Sequence, residues 1–149
     1  MTGEAIAIAW TPHVSGRARL LSDAEIRRAA AAACAHGGRP GLALSIVLVA
    51  DAELARMHGR YLDDPRPTDV ITFDLGADGN GAAAELYVSV ERARAVARER
   101  GLAPDRELAL YVVHGCLHVC GFDDRRPSDR ARMRAAERAV LAQLGYAEG

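Results

Sequence analysis

Two histidines stand four residues apart in the stretch HGCLHVCGFDD, His114 to Asp124. In an α-helix, residues i and i+4 lie on one face, one turn above the other. His114 and His118 therefore present their imidazoles side by side. The surrounding LALYVVHGCLHVC is almost wholly apolar, so the helix is expected to be packed deeply. Burying two imidazoles requires two sets of polar partners, either other side chains or a metal. Gly121 ends the helix, Phe122 can anchor the turn, and Asp123 and Asp124 come back within reach of both rings. Two His on a helix and one oxygen ligand past a Gly turn make a three-ligand site with an open position, where zinc acidifies water to a pKa of about 7. The competing reading gives Asp123 or Asp124 only a capping role in the turn. One of the two can cap while the other binds metal.

What is absent is also informative. In HExxH peptidases the Glu after the first His is the general base; here Gly115 fills that place. Cys116 and Cys120 each lie two residues from a His, about 200° around the helix at ~100° per residue, so they face away from the imidazoles. Together with Cys34 they read as buried thiols. An odd number of cysteines, three, does not suggest a disulfide framework, which favours a reducing cytoplasm.

Several elements must position these residues. Ser22 can cap a helix through AEIRRAAAAACAH, ended by Gly37 and Gly38. Leu42 to Val49 is a short β-branched apolar run and reads as a buried strand. Asp51 can cap a helix through AELARMHGRYL, and Pro65 and Pro67 bracket a turn. Asp69 to Leu75 and Glu85 to Val90 read as strands joined by the Gly-rich GADGNGAAA. Ser89 or Glu91 opens a helix to Arg100. The histidine helix follows, from Asp105 to about Cys120, and Ser128 can cap a last helix to about Leu144. Strands alternating with helices predict an α/β (α+β) fold in one domain, 1–149. The short link between the last two strands can join an antiparallel pair, so the sheet is expected to be mixed and mostly parallel, packed by about five helices.

The chain has 149 residues, half of them hydrophobic and a quarter charged, which fits a globular domain. No apolar run is long enough to span a bilayer, and the N-terminal stretch does not resemble a secretory signal. The net charge of −1 excludes a chain that is basic throughout. All 19 basic residues are Arg, a bias that a GC-rich coding sequence would produce and that also suits phosphate contacts. They crowd locally: Arg125, Arg126, Arg130, Arg132, Arg134 and Arg138 are offset only by Asp129 and Glu137. Arg130, Arg134 and Arg138 form an i,i+4 row that is either a solvated face or a polyanion contact.

The ordered motifs resemble those of the YbeY family. HGCLHVCGFDD is similar to that family's HGxLHLxGYDH, PTDVITF (Pro67 to Phe73) to its PT[DN]VLSF strand, and AELYVS to its G-[DE]-[IL]-x-[IV]-[SC] strand. The resemblance covers roughly Leu42 to Tyr146. It implies a small α/β domain with a zinc on three His at the mouth of a groove. It also implies a single-strand-specific, metal-dependent endoribonuclease that matures the 16S ribosomal RNA 3′ end and acts in ribosome quality control. Single-stranded RNA, 16S rRNA and ribosomal subunits are the implied partners, with neither membrane nor DNA. Carried over by position, His114 and His118 match the first two zinc ligands, and Asp124 stands where the third His belongs, with Asp123 as the alternative. One Zn2+ per chain is expected, or another divalent transition metal. Many relatives also carry an Arg after the Tyr that precedes PTDV, whereas here Leu62 follows Tyr61; Arg60 or Arg66 can substitute for it.

Glu85, and Asp69 or Asp74, are the carboxylates considered as base or as support for it, and Arg60, Arg66, Arg130 and Arg134 as phosphate contacts. Two rival readings stand beside the nuclease. One is a ribosome-assembly binding module with a structural metal and little catalysis. The other is a metallopeptidase-like hydrolase, against which Gly115 argues.

Overall fold

The computed structural model describes residues 5–12, 14, 19–62, 70–75 and 82–146, without the side chains of 58–62. The chain order is β1 (Ile6–Trp10), α1 (Asp23–His36), β2 (Leu44–Val49), α2 (Asp51–Leu62), β3 (Val70–Asp74), β4 (Ala84–Ser89), α3 (Val90–Arg100), α4 (Pro104–Val119) and α5 (Pro127–Gln143). The strands form one sheet of order β1-β2-β4-β3. β1 and β2 pair in parallel, as do β2 and β4, while β3 and β4 are antiparallel. The expected mixed, mostly parallel sheet and five helices are therefore present among the described residues. The strand β1 was not foreseen. Its IAIAW carries no turn signal before it, and its side chains alternate only weakly between buried and exposed.

The sheet has two unequal faces. Leu44, Ile46, Leu48, Leu86 and Val88 point into the main core, shared with α1, α4 and α5. The opposite face carries a small cluster in which Val49, Leu54 and Ile71 pack with Val47, Met57, Phe73 and Tyr87 under α2. Helix α4 lies at the centre, against α1, α3, α5 and the sheet. Its sheet-facing side is closely fitted: a Cβ on Gly115 would stand 2.7 Å from Leu86 Cδ2 and 3.2 Å from Val70 Cγ2.

The helix ends follow local chemistry with two exceptions. Ser22 and Glu25 form a capping box on α1, and Ser89 Oγ accepts from Arg92 N at the start of α3. Asp51 does not cap α2. It is the helix's first residue, and its carboxylate turns to Ser89 and Arg92 while Glu53 accepts from Ala50 N. Ser128 does not cap α5 either. Arg126 is the N-cap and makes no side-chain cap bond, since a guanidinium has no acceptor, and Pro127 takes the first turn, where its missing N–H costs nothing. The turn at Pro65 and Pro67 and most of the Gly-rich link lie outside the described residues.

Candidate active site

The turn after α4 links the chain's local structure to its chemistry. Gly121 adopts φ 107°, a left-handed conformation open to Gly at little cost. Gly121 N donates to His118 O and Phe122 N to Leu117 O, each at 3.0 Å, the paired bonds of a Schellman end. Phe122 packs against the main core, which fixes the direction of the turn. Its carbonyl then stands 3.0 Å from His118 Nδ1. A carbonyl only accepts, so Nδ1 carries the proton and the neutral ring keeps its lone pair on Nε2, on an exposed side chain.

His114 is held by a tertiary contact instead. Its Nδ1 lies 2.5 Å from Oε2 of Glu137, which is 2 % exposed and comes from the middle of α5. The other oxygen, Oε1, accepts from Arg134 at 2.6 Å. A carboxylate behind Nδ1 orients the ring and leaves Nε2 as the donor atom, the arrangement found behind metal-bound histidines. His114 Nε2 is 3.6 Å from Asp124 Oδ2. Two ligands at zinc bond lengths around a tetrahedral ion stand about 3.4 Å apart, so this pair fits a shared cation. Among the described residues no three His, Cys, Asp or Glu side chains are gathered into a cage. The structure thus brings His114 and Asp124 together at the end of α4.

The two aspartates have separated roles. Asp123 Oδ1 accepts from Asp124 N at 2.7 Å and lies 3.8 Å from Arg125 Nε, which shapes the turn. Asp124 turns its carboxylate to His114. Arg130 donates to Arg125 O at 2.8 Å and to Asp124 O at 3.4 Å, and so ties the turn to α5. Arg134 faces a cavity of about 370 Å3 together with His114, Asp124, Glu137 and Glu107. Glu85 is elsewhere. It lies beside Tyr87, Phe73 and Met57 at the face under α2, and Tyr87 Oη is 3.5 Å from its Oε1. Asp69, Arg66 and the Arg60 side chain lie outside the described residues, as do the side chains of Tyr61 and Leu62.

Sequence reasoning missed Glu137 as a partner of His114. It entered only as a charge offsetting the α5 arginines. The signal available was a lone Glu three residues before the apolar Val140, on the core stripe of α5, where an unpaired carboxylate is costly.

The cysteines lie on the other flank of α4. Cys34 and Cys116 are buried, and Cys120 Sγ approaches Cys34 O at 4.0 Å. The Cys34 thiol is pushed up to about 12, first by its hydrogen bond with Cys116 and then by burial. Cys120 is also raised, chiefly by Cys34 and then by burial. Such thiols stay protonated and are poor metal ligands.

The family model described as "Endoribonuclease YbeY" matches residues 19–145. A protein named "Endoribonuclease YbeY" from Desulfitobacterium hafniense is 36% identical over 112 residues, covering 68% of this chain and 71% of its own length. One of the same name from Phocaeicola vulgatus is 35% identical and covers 76% of this chain and 80% of its own. A third, from Chloroflexus aurantiacus, is 36% identical over 138 residues, covering 85% of this chain and 90% of its own. The solution structure of TM1509 from Thermotoga maritima superimposes with a TM-score of 0.65 at 22% identity, over 93% of this chain and 88% of that one, which shows the shared fold.

Proposed function

This chain belongs to the endoribonuclease YbeY family, and on that premise we propose that it is a metal-dependent, single-strand-specific endoribonuclease of ribosomal RNA processing. The family match over residues 19–145 is the observation that carries the reading. Its setting is maturation of the 16S rRNA 3′ end and ribosome quality control in the cytoplasm, with 16S rRNA and ribosomal subunits as partners. Among the described residues, no helix is long and apolar enough to cross a membrane. Residues 1–149 act as one metal-dependent hydrolase domain. The binding-module and peptidase readings are not favoured. The close approach of Gly115 to Leu86 leaves the position after His114 no room for a catalytic Glu.

His114, His118 and Asp124 would hold one Zn2+ or another divalent transition metal, with Asp123 shaping the turn. The braced Nδ1 atoms and the 3.6 Å separation of His114 Nε2 and Asp124 Oδ2 support this assignment. A divalent ion held there supplies Lewis acidity and brings the pKa of water toward neutrality. The chain's own groups do the rest. Glu137 fixes the His114 ring by keeping the proton on Nδ1, and the Phe122 carbonyl does the same for His118. Arg134, anchored by one N–H on Glu137, offers its remaining N–H groups to a phosphate. Arg60 and Arg66 are assigned to further phosphate contacts. Arg130, already engaged with two carbonyls, holds the turn. Asp69 is assigned to accept a proton from the attacking group, and Glu85, on the other face of the sheet, is given no step.

The test is cleavage of a single-stranded RNA and of its duplex by wild type and His114→Ala, with metal analysis of both proteins. Wild type should carry about one zinc per chain and cut only the single strand. Equal cleavage by His114→Ala would overturn the nuclease reading.

A further inference from the structure

The cavity at His114 does not end there. It is lined by Arg92, Arg100, Glu107, Arg134 and Glu137, and a second cavity of about 360 Å3 adjoins it along the same helices. Both are walled by Arg100, Glu107, Leu110, Arg134 and Glu137, and the second adds Arg106 and Arg138. Together they make a furrow between α3, α4 and α5 that begins at His114 and Asp124. Each part is within the range of about 300–1,000 Å3 usual for small-molecule sites, room for a nucleotide.

Two observations separate this furrow from an ordinary solvated face. The first is charge. Arg92 is paired with Asp51 at 3.1 Å and Arg134 with Glu137 at 2.6 Å. Arg100 and Arg138 are exposed and make no ion pair among the described residues. They stand over the furrow with their guanidinium groups open to solvent. The second is an incomplete polar wall. Glu107 is 2 % exposed, and among the described residues its Oε1 has no hydrogen-bond partner; Arg92 Nε is likewise buried and unpartnered among them. An unsatisfied buried donor and an unsatisfied buried acceptor in one wall call for a ligand that brings both an acceptor and a donor. A nucleotide does so, with phosphate oxygens for the guanidinium groups and base or ribose donors for the carboxylate, once the two side chains turn toward it.

We propose that this furrow is the track along which the single RNA strand runs away from His114, one nucleotide in each cavity, with Arg100 and Arg138 on its phosphates. The inference rests on the endoribonuclease reading for the chemistry at His114. The binding itself is measurable without cleavage. The strand suits the track because its phosphates repeat along a line and its bases are free to reach the wall.

The experiment is binding of a cleavage-resistant 2′-O-methyl single-stranded oligonucleotide, read by fluorescence anisotropy between 50 and 200 mM salt. The proteins are wild type, Arg100→Ala/Arg138→Ala and the control Arg98→Ala, which removes an exposed charge from the same helix outside the furrow. The double variant should bind about tenfold more weakly at 100 mM salt. Its slope of log affinity against log salt should flatten by about 1.4, two contacts at roughly 0.7 each for a single strand. Arg98→Ala should change affinity less than about twofold. Equal losses in the double variant and the control, or no loss in either, would overturn the track. Cleavage by the same proteins keeps the two readings distinct. Wild type that cleaves while the double variant binds unchanged loses the track and keeps the nuclease. The expected binding losses in a protein that cuts no RNA keep the track and lose the nuclease.

Discussion

The two flanks of α4 are built from opposite materials. On one side Gly115, Cys116 and Leu117 pack against Leu86, Val70 and Cys34, with neutral groups and hardly any space. On the other, His114, Glu107, Glu137, Asp124 and a set of arginines line an open furrow. The tight flank fixes where the helix lies, and the open flank uses that fixed position. A His ring is useful to a cation or a phosphate only when its backbone cannot drift, and the Gly115–Leu86 contact supplies that constraint.

The contrast predicts a ranking of substitutions. The largest effect should come from filling the tight flank. Gly115→Glu forces a charged side chain against the fully buried Leu86, so loss of soluble folded protein or more than about 4 kcal/mol of stability is expected. Denaturant unfolding measures it, and near-native stability would show that the flank has slack. Next is the brace on the open flank. Glu137→Leu deprives His114 Nδ1 and Arg134 of their partner and should reduce zinc affinity or RNA cleavage about 10–100-fold. Calorimetric titration with zinc reads the first and single-turnover cleavage the second. Unchanged values in a folded variant would mean that the ring needs no such support.

The aspartates provide a finer division. Asp124→Ala should lower zinc content strongly. Asp123→Ala should keep it and cost only about 1 kcal/mol through the lost turn bond. Metal analysis and thermal melting of both proteins separate the roles, and the reverse pattern would make Asp123 the ligand.

The last effect, absent near neutral pH and confined to alkaline conditions, concerns the tight flank's thiols. Cys34 has an ordinary value of 9.0 and is raised to about 12 in the fold. The folded state therefore holds this proton more tightly than the unfolded chain. Its contribution is complete below pH 9 and is lost as pH rises toward 12. Stability should fall over that window in wild type and fall less steeply in Cys34→Ala. Parallel curves would remove the thiol from the alkaline behaviour.

The open flank was only partly legible in the sequence. The His pair, the Gly121 stop and the return of the aspartates could be read because helix periodicity and turn chemistry act over a few residues. His118 shows this fully, since its brace is the carbonyl four residues later in the same turn. His114 shows the limit, because its brace comes from Glu137, 23 residues away on another helix. The reach of Arg130 to the turn's carbonyls and the placement of Glu85 under α2 likewise depended on how elements pack. So did β1, which gains its role only by pairing with β2.

By itself the sequence determined the alternation of helices and strands, the shared face of His114 and His118, and the family. Apolar periodicity, caps and ordered motifs are properties of short stretches of chain. Tertiary structure alone decided which carboxylate faces His114, which one accepts from the turn's backbone, and that an arginine-lined furrow adjoins the site. Each of these depends on distances between residues remote in sequence, and packing around α4 sets those distances.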